Sequence, residues 1–193
     1  KKGYEIPLAT RTSKGIHTAN LLALAPDELV ASTITMKSLD IDGYFVMVTK
    51  NGLIKRSEIR EYDTSLRKRG LKALTLNEGD ELIHVSNTDG TKDIALITAN
   101  GYALRYAEEV VRSIGRAGQG VRAMNLQEED NIVSMLVLDR NESSEILVIT
   151  EYGFGKKTNA NEYKSLSGRY AKGSKTINIE KKNRNGSIVC AAV

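Results

Sequence analysis

The chain has 193 residues, 40% of them hydrophobic, with 28 Lys and Arg against 24 Asp and Glu for a net charge of +4. That supplies ample apolar material for a core, while the absence of Trp and the 5% aromatic content argue against a carbohydrate-stacking propeller or an aromatic platform for single strands. No apolar run is long enough to span a bilayer as a helix and no signal peptide is visible; one cysteine makes no disulfide framework, which fits a reducing compartment.

The chain repeats itself four times, with a period of about 50 residues, the range of propeller blades and similar arrays. The first unit reads as lacking its opening strand: Lys2 stands for a strand-closing cation, Gly15 for a loop glycine, and Asp27–Val30 for a closing strand. With no initiator Met and a start inside a repeat, the chain reads as a fragment of something longer. The second unit runs from Tyr44 through Asn51–Gly52 to Lys55–Arg56, crosses a basic loop to Gly70, alternates from Leu71 to Leu76 and closes with Glu81–Val85. The third repeats this as Ile94 through Asn100–Gly101 to Leu104–Arg105, a loop to Gly120, Val121–Leu126 and Asn131–Leu136. The fourth runs from Ile146 through Tyr152–Gly153 to Lys156–Lys157, a loop to Gly173, Ser174–Ile179 and Ser187–Cys190.

Asn–Gly between apolar runs signals a tight hairpin, because both central positions need positive φ. Runs such as Leu71–Leu76 alternate with period two, as half-buried strands do. Glu108–Ile114 and Asn161–Leu166 suit short helical turns. No linker separates the units. The fold class is therefore all-β: a propeller-like array of about four four-stranded blades, the first incomplete, with fifteen strand-like runs. Residues 1–193 form one domain, with approximate blades at 1–40, 41–90, 91–140 and 141–193. The incomplete first blade leaves an unpaired edge, a liability that a neighbouring blade or closure of the array must cover.

Cations recur in register. Before the loop glycines stand Arg11 and Lys14, then Arg67, Lys68 and Arg69, then Arg116, then Arg169 and Lys172. Two residues beyond them come Lys72, Arg122 and Lys175, with His17 in the first unit. Arg56, Arg105 and Lys157 close the second strands. In a ring of blades such positions form a belt, which suits a curved polyanion. Duplex DNA supplies a continuous phosphate track whose neutralisation releases counterions, and glycine beside the cations admits backbone N–H groups to phosphates. A merely solvated basic loop accounts for any one of these segments, but less well for four in register.

Other chemistry is weakly signalled. His17 and His84 have no Cys or carboxylate at metal-ligand spacing, and His84 reads as a half-buried strand residue. Asp27–Glu28, Asp80–Glu81 and Asp130 recur before the fourth strand, where an Asp engages its own backbone. Gly153–Gly155 with Lys156–Lys157 lacks phosphate-loop spacing. Cys190, between Val189 and Ala191, reads as a buried structural thiol.

Tyr4–Pro7, Arg11–Gly15, Asn20–Leu22, Gly120–Leu126 and Tyr152–Thr158 resemble the C-terminal domain of the bacterial DNA gyrase A protein, in order and over essentially the whole chain. The resemblance implies a β-pinwheel whose blades exchange strands. It also implies non-specific binding and wrapping of duplex DNA around a basic rim, in support of ATP-dependent negative supercoiling. The implied partners are DNA, the rest of the gyrase A protein and the gyrase ATPase partner, in a bacterial cytoplasm, with no cofactor or metal in this domain and no membrane. Arg105–Tyr106 and Arg169–Tyr170 match the Arg–Tyr pair of type II topoisomerases but lack the acidic metal cluster that such chemistry needs; the domain reads as non-catalytic and the parent protein as the topoisomerase. One departure stands out. The gyrase box, Gln-(Arg/Lys)-Arg-Gly-Gly-(Arg/Lys)-Gly, is missing, and Arg67–Gly70 and Arg116–Gly120 are partial echoes. The fragment reads as starting beyond the box. The corresponding topoisomerase IV protein, which lacks the box, is the close alternative, and Asn20–Leu22 favours gyrase. From another class, a protein-interaction propeller predicts acidic or apolar pockets and no salt-sensitive affinity for DNA.

Overall fold

The structure, a computed structural model, describes residues 2–22, 24–25, 28–63, 70–179 and 184–193. Its strands in chain order are β1 (Tyr44–Thr49), β2 (Leu53–Glu58), β3 (Leu82–Thr88), β4 (Asp93–Thr98), β5 (Tyr102–Ala107), β6 (Val121–Arg122), β7 (Ile132–Leu138), β8 (Glu145–Thr150), β9 (Gly155–Asn159), β10 (Ser165–Leu166), β11 (Ser174–Lys175) and β12 (Ile188–Ala192). The helical pieces are α1 (Thr18–Leu21) and 3-10 turns at Gly3–Glu5, Ile59–Tyr62, Glu108–Val110 and Ala160–Glu162. The Glu108 turn lies inside the first segment read as helical, and the Ala160 turn overlaps the second.

Each complete unit opens with a hairpin. β1 pairs β2, β4 pairs β5 and β8 pairs β9, all antiparallel. Gly52 turns the first hairpin with φ +89, a conformation L side chains rarely adopt. Thr49 and Thr98 lock the first two turns, their hydroxyl oxygens accepting from the N–H of Leu53 at 3.0 Å and of Tyr102 at 3.2 Å. The fourth strand of each unit then returns beside the first: β3 on β1, β7 on β4, β12 on β8.

The third strand goes elsewhere. β6 belongs to the third unit by sequence but pairs with β2 of the second, with Leu53 opposite Arg122 and Ile54 opposite Val121. β11 of the fourth unit likewise pairs with β5 of the third, Tyr102 opposite Lys175. The sheet order β3-β1-β2-β6 therefore ends on a borrowed strand. Gly173 permits the approach: a Cβ there would lie 2.3 Å from the Ala103 carbonyl oxygen.

β1 and β4 are buried on both faces because each face meets a different neighbour, so they read as continuous apolar runs, while β8 is buried on one face only. Val46 and Val48 pack with Ile94 and Leu96 in one core. Ala95 and Ile97 pack with Ile146 and Val148 in the next. Phe45 and Met47 meet Ile34, Met36 and Leu39 of the first unit. Every core thus lies between blades, as a repeat array requires. The fourth strands of successive blades touch one another, which places them on the inner side and the borrowed strands on the outer edge.

Three expectations need correction. Among the described residues the first unit has no strand; its Glu28–Val30 is exposed. A fourth strand pairs with its own unit's first strand, which this unit lacks. Leu71–Leu76 makes only an isolated bridge, Thr75 to Gln119. Its counterparts pair with the second strand of the preceding unit, and the first unit offers a 3-10 turn at Gly3–Glu5 and no strand there. Cys190 is exposed. A register shift after Ile188 puts it opposite Ile149, on the face that the second and third blades turn toward a following blade. Among the described residues nothing covers that face, so Leu147 and Ile149 stay 38% and 37% exposed, and β9 has no partner on its outer edge.

Candidate functional site

The outer edge carries charge. Lys72, Arg122 and Lys175 are exposed, and the latter two sit on the borrowed strands of consecutive blades. Arg11 and Lys14 are exposed on the strandless first unit. Arg67, Lys68 and Arg69 lie outside the described residues.

The loop arginines are engaged with the protein. Arg116 donates from Nη1 to the Lys72 carbonyl at 2.8 Å. Arg169 donates from Nε to the Arg122 carbonyl at 2.7 Å, from Nη1 to the Val110 carbonyl at 3.1 Å and from Nη2 to the Tyr170 hydroxyl at 3.0 Å. Lys172 is half-buried, its ammonium 4.2 Å from the centre of the Tyr102 ring, a cation–π distance.

The strand-closing cations divide. Arg56 and Arg105 are only 9% and 8% exposed; they lie inside the array, and the outer edge is left without them. Each reaches the 3-10 turn of the following unit. Arg56 stacks 4.2 Å from the Tyr44 ring centre and lies 3.8 Å from Glu108. Arg105 donates to Asp93 Oδ2 at 2.8 Å and to the Ala160 carbonyl at 2.9 Å. Lys157, at the same position of the fourth unit, is exposed and pairs with Glu145 across its own hairpin.

The remaining titratable groups hold the scaffold. Asp93 also accepts from Arg140 Nε at 2.8 Å. Burial alone would raise its pKa, but Arg105 and Arg140 outweigh this and hold the carboxyl below its usual range. Lys55 is fully buried. It donates to the Ala73 carbonyl at 2.7 Å and to the Arg116 carbonyl. Burial lowers its pKa, and Arg116 lowers it further against the opposing pull of Glu61. Asp80 and Asp130 each accept from their own successor's N–H and, beyond the sequence reading, from the turn amides of Asn51 and Asn100, all at 2.9 Å. His84 sits half-buried in β3, and burial pushes its pKa down. Tyr106 is fully buried with its phenol pushed up by desolvation, a poor setting for a nucleophile. Among the described residues no His, Cys, Asp and Glu cluster could hold a metal, and no helix is long and apolar enough to cross a membrane. Arg140 escaped the sequence reading; Lys55 entered it only as part of a strand-closing pair, with Leu104 at its place in the third unit and Lys156 in the fourth.

These features define a β-pinwheel-type repeat array with a basic outer edge. Residues 2–35, 43–89, 92–139 and 144–189 match the DNA gyrase C-terminal domain, beta-propeller family, and the chain belongs to that family. It is 41% identical over 190 residues to the DNA gyrase A protein of Staphylococcus epidermidis and 40% identical to that of Staphylococcus aureus, covering 98% of this chain and 21% of each relative. The chain therefore spans about a fifth of those relatives' length. Among solved structures, the C-terminal domain of DNA topoisomerase IV superposes with a TM-score of 0.84 at 31% identity, over 92% of this chain and 54% of that one. The DNA gyrase A C-terminal domain gives 0.77 at 27%, over 93% and 58%. The Escherichia coli ParC C-terminal domain, at 17% identity and a TM-score of 0.68, shares the fold.

Proposed function

We propose that this domain binds duplex DNA without sequence preference, through phosphate contacts along the outer edge of its blades, and bends it. The observation that carries the reading is the exposed cation two residues beyond the loop glycine, Lys72, Arg122 and Lys175, recurring on consecutive units and borne on borrowed edge strands in two of them. Cations recurring at one position of successive units suit a curved phosphate track, and base edges are not needed for such binding. Arg11, Lys14, Arg67, Lys68 and Arg69 extend the set; Arg56 and Arg105 leave it. Within a longer protein the bent segment would be presented to a catalytic core elsewhere, in support of ATP-dependent negative supercoiling by gyrase with its ATPase partner in the bacterial cytoplasm. The likeness to a topoisomerase IV domain favours a second reading, in which the same surface engages DNA for that enzyme. The domain itself supplies no chemistry in either reading.

The test is fluorescence anisotropy with a duplex of about 40 base pairs across a salt series. The expected result is a steep log–log dependence, indifferent to sequence. Lys72→Gln, Arg122→Gln and Lys175→Gln should each reduce the slope by about 0.9. Absence of binding at low salt would overturn the reading and favour a protein-interaction module. Transplanting the domain into a full-length gyrase A protein and comparing supercoiling with decatenation separates the two DNA readings.

A further inference from the structure

We infer that Arg116 and Arg169 are positioning residues: each latches its own unit's loop to the preceding unit's third run and so fixes where the neighbouring edge cation points. The inference rests on the DNA reading above. It assigns these two arginines a role distinct from phosphate contact.

The geometry repeats. Both arginines stand four residues before a loop glycine, and both donate to the carbonyl oxygen of the edge cation of the unit before, Arg116 to Lys72 and Arg169 to Arg122. A backbone bond accompanies each latch three residues further along the third run. Thr75 N–H donates to the Gly118 carbonyl at 3.4 Å, and Asn125 N–H to the Ala171 carbonyl at 2.9 Å. On the other side, Ala123 N–H and Thr176 N–H donate to the turn carbonyls of Gly52 and Gly101 at 2.7 and 2.9 Å. The third run around Arg122 is therefore held from its blade by a ladder only two residues long and from the next unit by the arginine. Two ladder residues are too few to fix a strand alone.

The side-chain geometry argues the same way. Arg169 uses Nε, Nη1 and Nη2 on three separate protein acceptors, and its guanidinium lies 4.8 Å from the Tyr170 ring centre. A guanidinium so engaged has little left for a phosphate. Arg122, by contrast, spends its carbonyl on the latch and keeps its exposed side chain for ligand. The arrangement divides labour between neighbouring units: one supplies the charge, the next sets its position. Because bending needs several contacts at fixed spacing, loss of a latch should reduce the bend more than it reduces the count of contacts.

The experiment compares Arg169→Gln, Arg169→Lys and Arg122→Gln in the 193-residue chain. Three readouts apply: amide exchange at Asn125 in the free protein, the salt slope of binding, and energy transfer between the ends of a duplex of about 40 base pairs at saturation. The latch predicts that Arg169→Gln accelerates Asn125 exchange by about tenfold, leaves the slope unchanged and lowers end-to-end transfer. Arg169→Lys keeps the charge but loses the fork and should behave as Arg169→Gln does. Arg122→Gln should do the reverse, lowering the slope by about 0.9 with Asn125 exchange unaltered. A fall of one slope unit in Arg169→Gln, restored in Arg169→Lys, overturns the latch and makes Arg169 a phosphate contact. A chain that binds no DNA removes the reading above, and the exchange comparison still decides: faster exchange supports the latch, an unchanged rate overturns it.

Discussion

Replacing Arg105 with Met separates scaffold from binding surface in one variant. Its guanidinium makes one charge-assisted bond to Asp93 and one bond to the Ala160 carbonyl, joining two blades. Bonds involving a charged group contribute about 1.5–3 kcal/mol each. Removing one partner of a buried ion pair costs about 3–5 kcal/mol when the other charge is orphaned. Asp93 is not orphaned, because Arg140 still donates to its second oxygen, and the Met side chain recovers part of the apolar packing. The net loss should be about 3 kcal/mol. For a chain of this size each kcal/mol lowers Tm by about 2–4 °C, so Tm should fall by roughly 6–12 °C. Calorimetry with a urea series measures this. Adding Asp93→Asn completes a cycle whose coupling should be about 1–2 kcal/mol. The salt slope of DNA binding, taken well below Tm, should not move. A stability change within about 0.5 kcal/mol, joined to a slope lowered by one unit, would refute the placement of Arg105 inside the array.

Three further outcomes follow from named contacts. Gly173→Ala should destabilise by more than about 2 kcal/mol, since both its φ of +87 and the nearby Ala103 carbonyl oppose a Cβ; Gly153→Ala, with φ +80 and open space, should cost about 1 kcal/mol, and equal losses in urea denaturation would contradict the close approach. Asp80→Ala removes the acceptor shared by the Asn51 and Glu81 amides and should lower stability by about 1–2 kcal/mol with faster amide exchange at Asn51; unchanged exchange would sink it. The depressed Asp93 pKa makes a pH claim. The unfolded carboxyl titrates near about 3.9, above its folded value, so its contribution is complete above about pH 5 and is lost as pH falls through 4 toward the folded pKa. Asp93→Asn should therefore narrow the stability gap between about pH 6 and a pH below the unfolded carboxyl's pKa; parallel profiles would exclude it.

Local chemistry was legible and partner choice was not. The Asn–Gly turns announce themselves through their glycines, Gly52 and Gly101 at φ +89 and +87, although Asn51 and Asn100 do not take the positive φ that a two-residue I′ turn needs. The apolar first strands of the second and third units announce themselves through burial on both faces. Which strand Val121–Arg122 would join could not be read, since a two-residue ladder leaves no periodic trace and its partner lies in another unit. For the same reason Leu71–Leu76 alternates well yet makes one bridge: alternation reports a willing strand, not an available neighbour. At the site, position in the repeat singled out Lys72, Arg122 and Lys175, which are exposed. It misassigned Arg56 and Arg105, whose like charge and spacing say nothing of the Glu108 and Asp93 carboxylates that draw them inward. Lys157 shows the contrast, since it has the same position but stays in solvent beside Glu145.

The displaced third strand means that the repeat in the sequence and the blade in space are out of phase. Blade three takes β4, β5 and β7 from its own unit and both β10 and β11 from the next, while its own β6 serves the blade before. Duplication of a whole repeat keeps this phase, so an array can lengthen without redesign. Recombination at a repeat boundary does not: it places a foreign third strand on a native hairpin, at the two residue pairs where Leu53 meets Arg122 and Ile54 meets Val121. Compatibility between units of different origin thus turns on this short outer seam as well as on the cores between blades, and a chimera is to be screened at both.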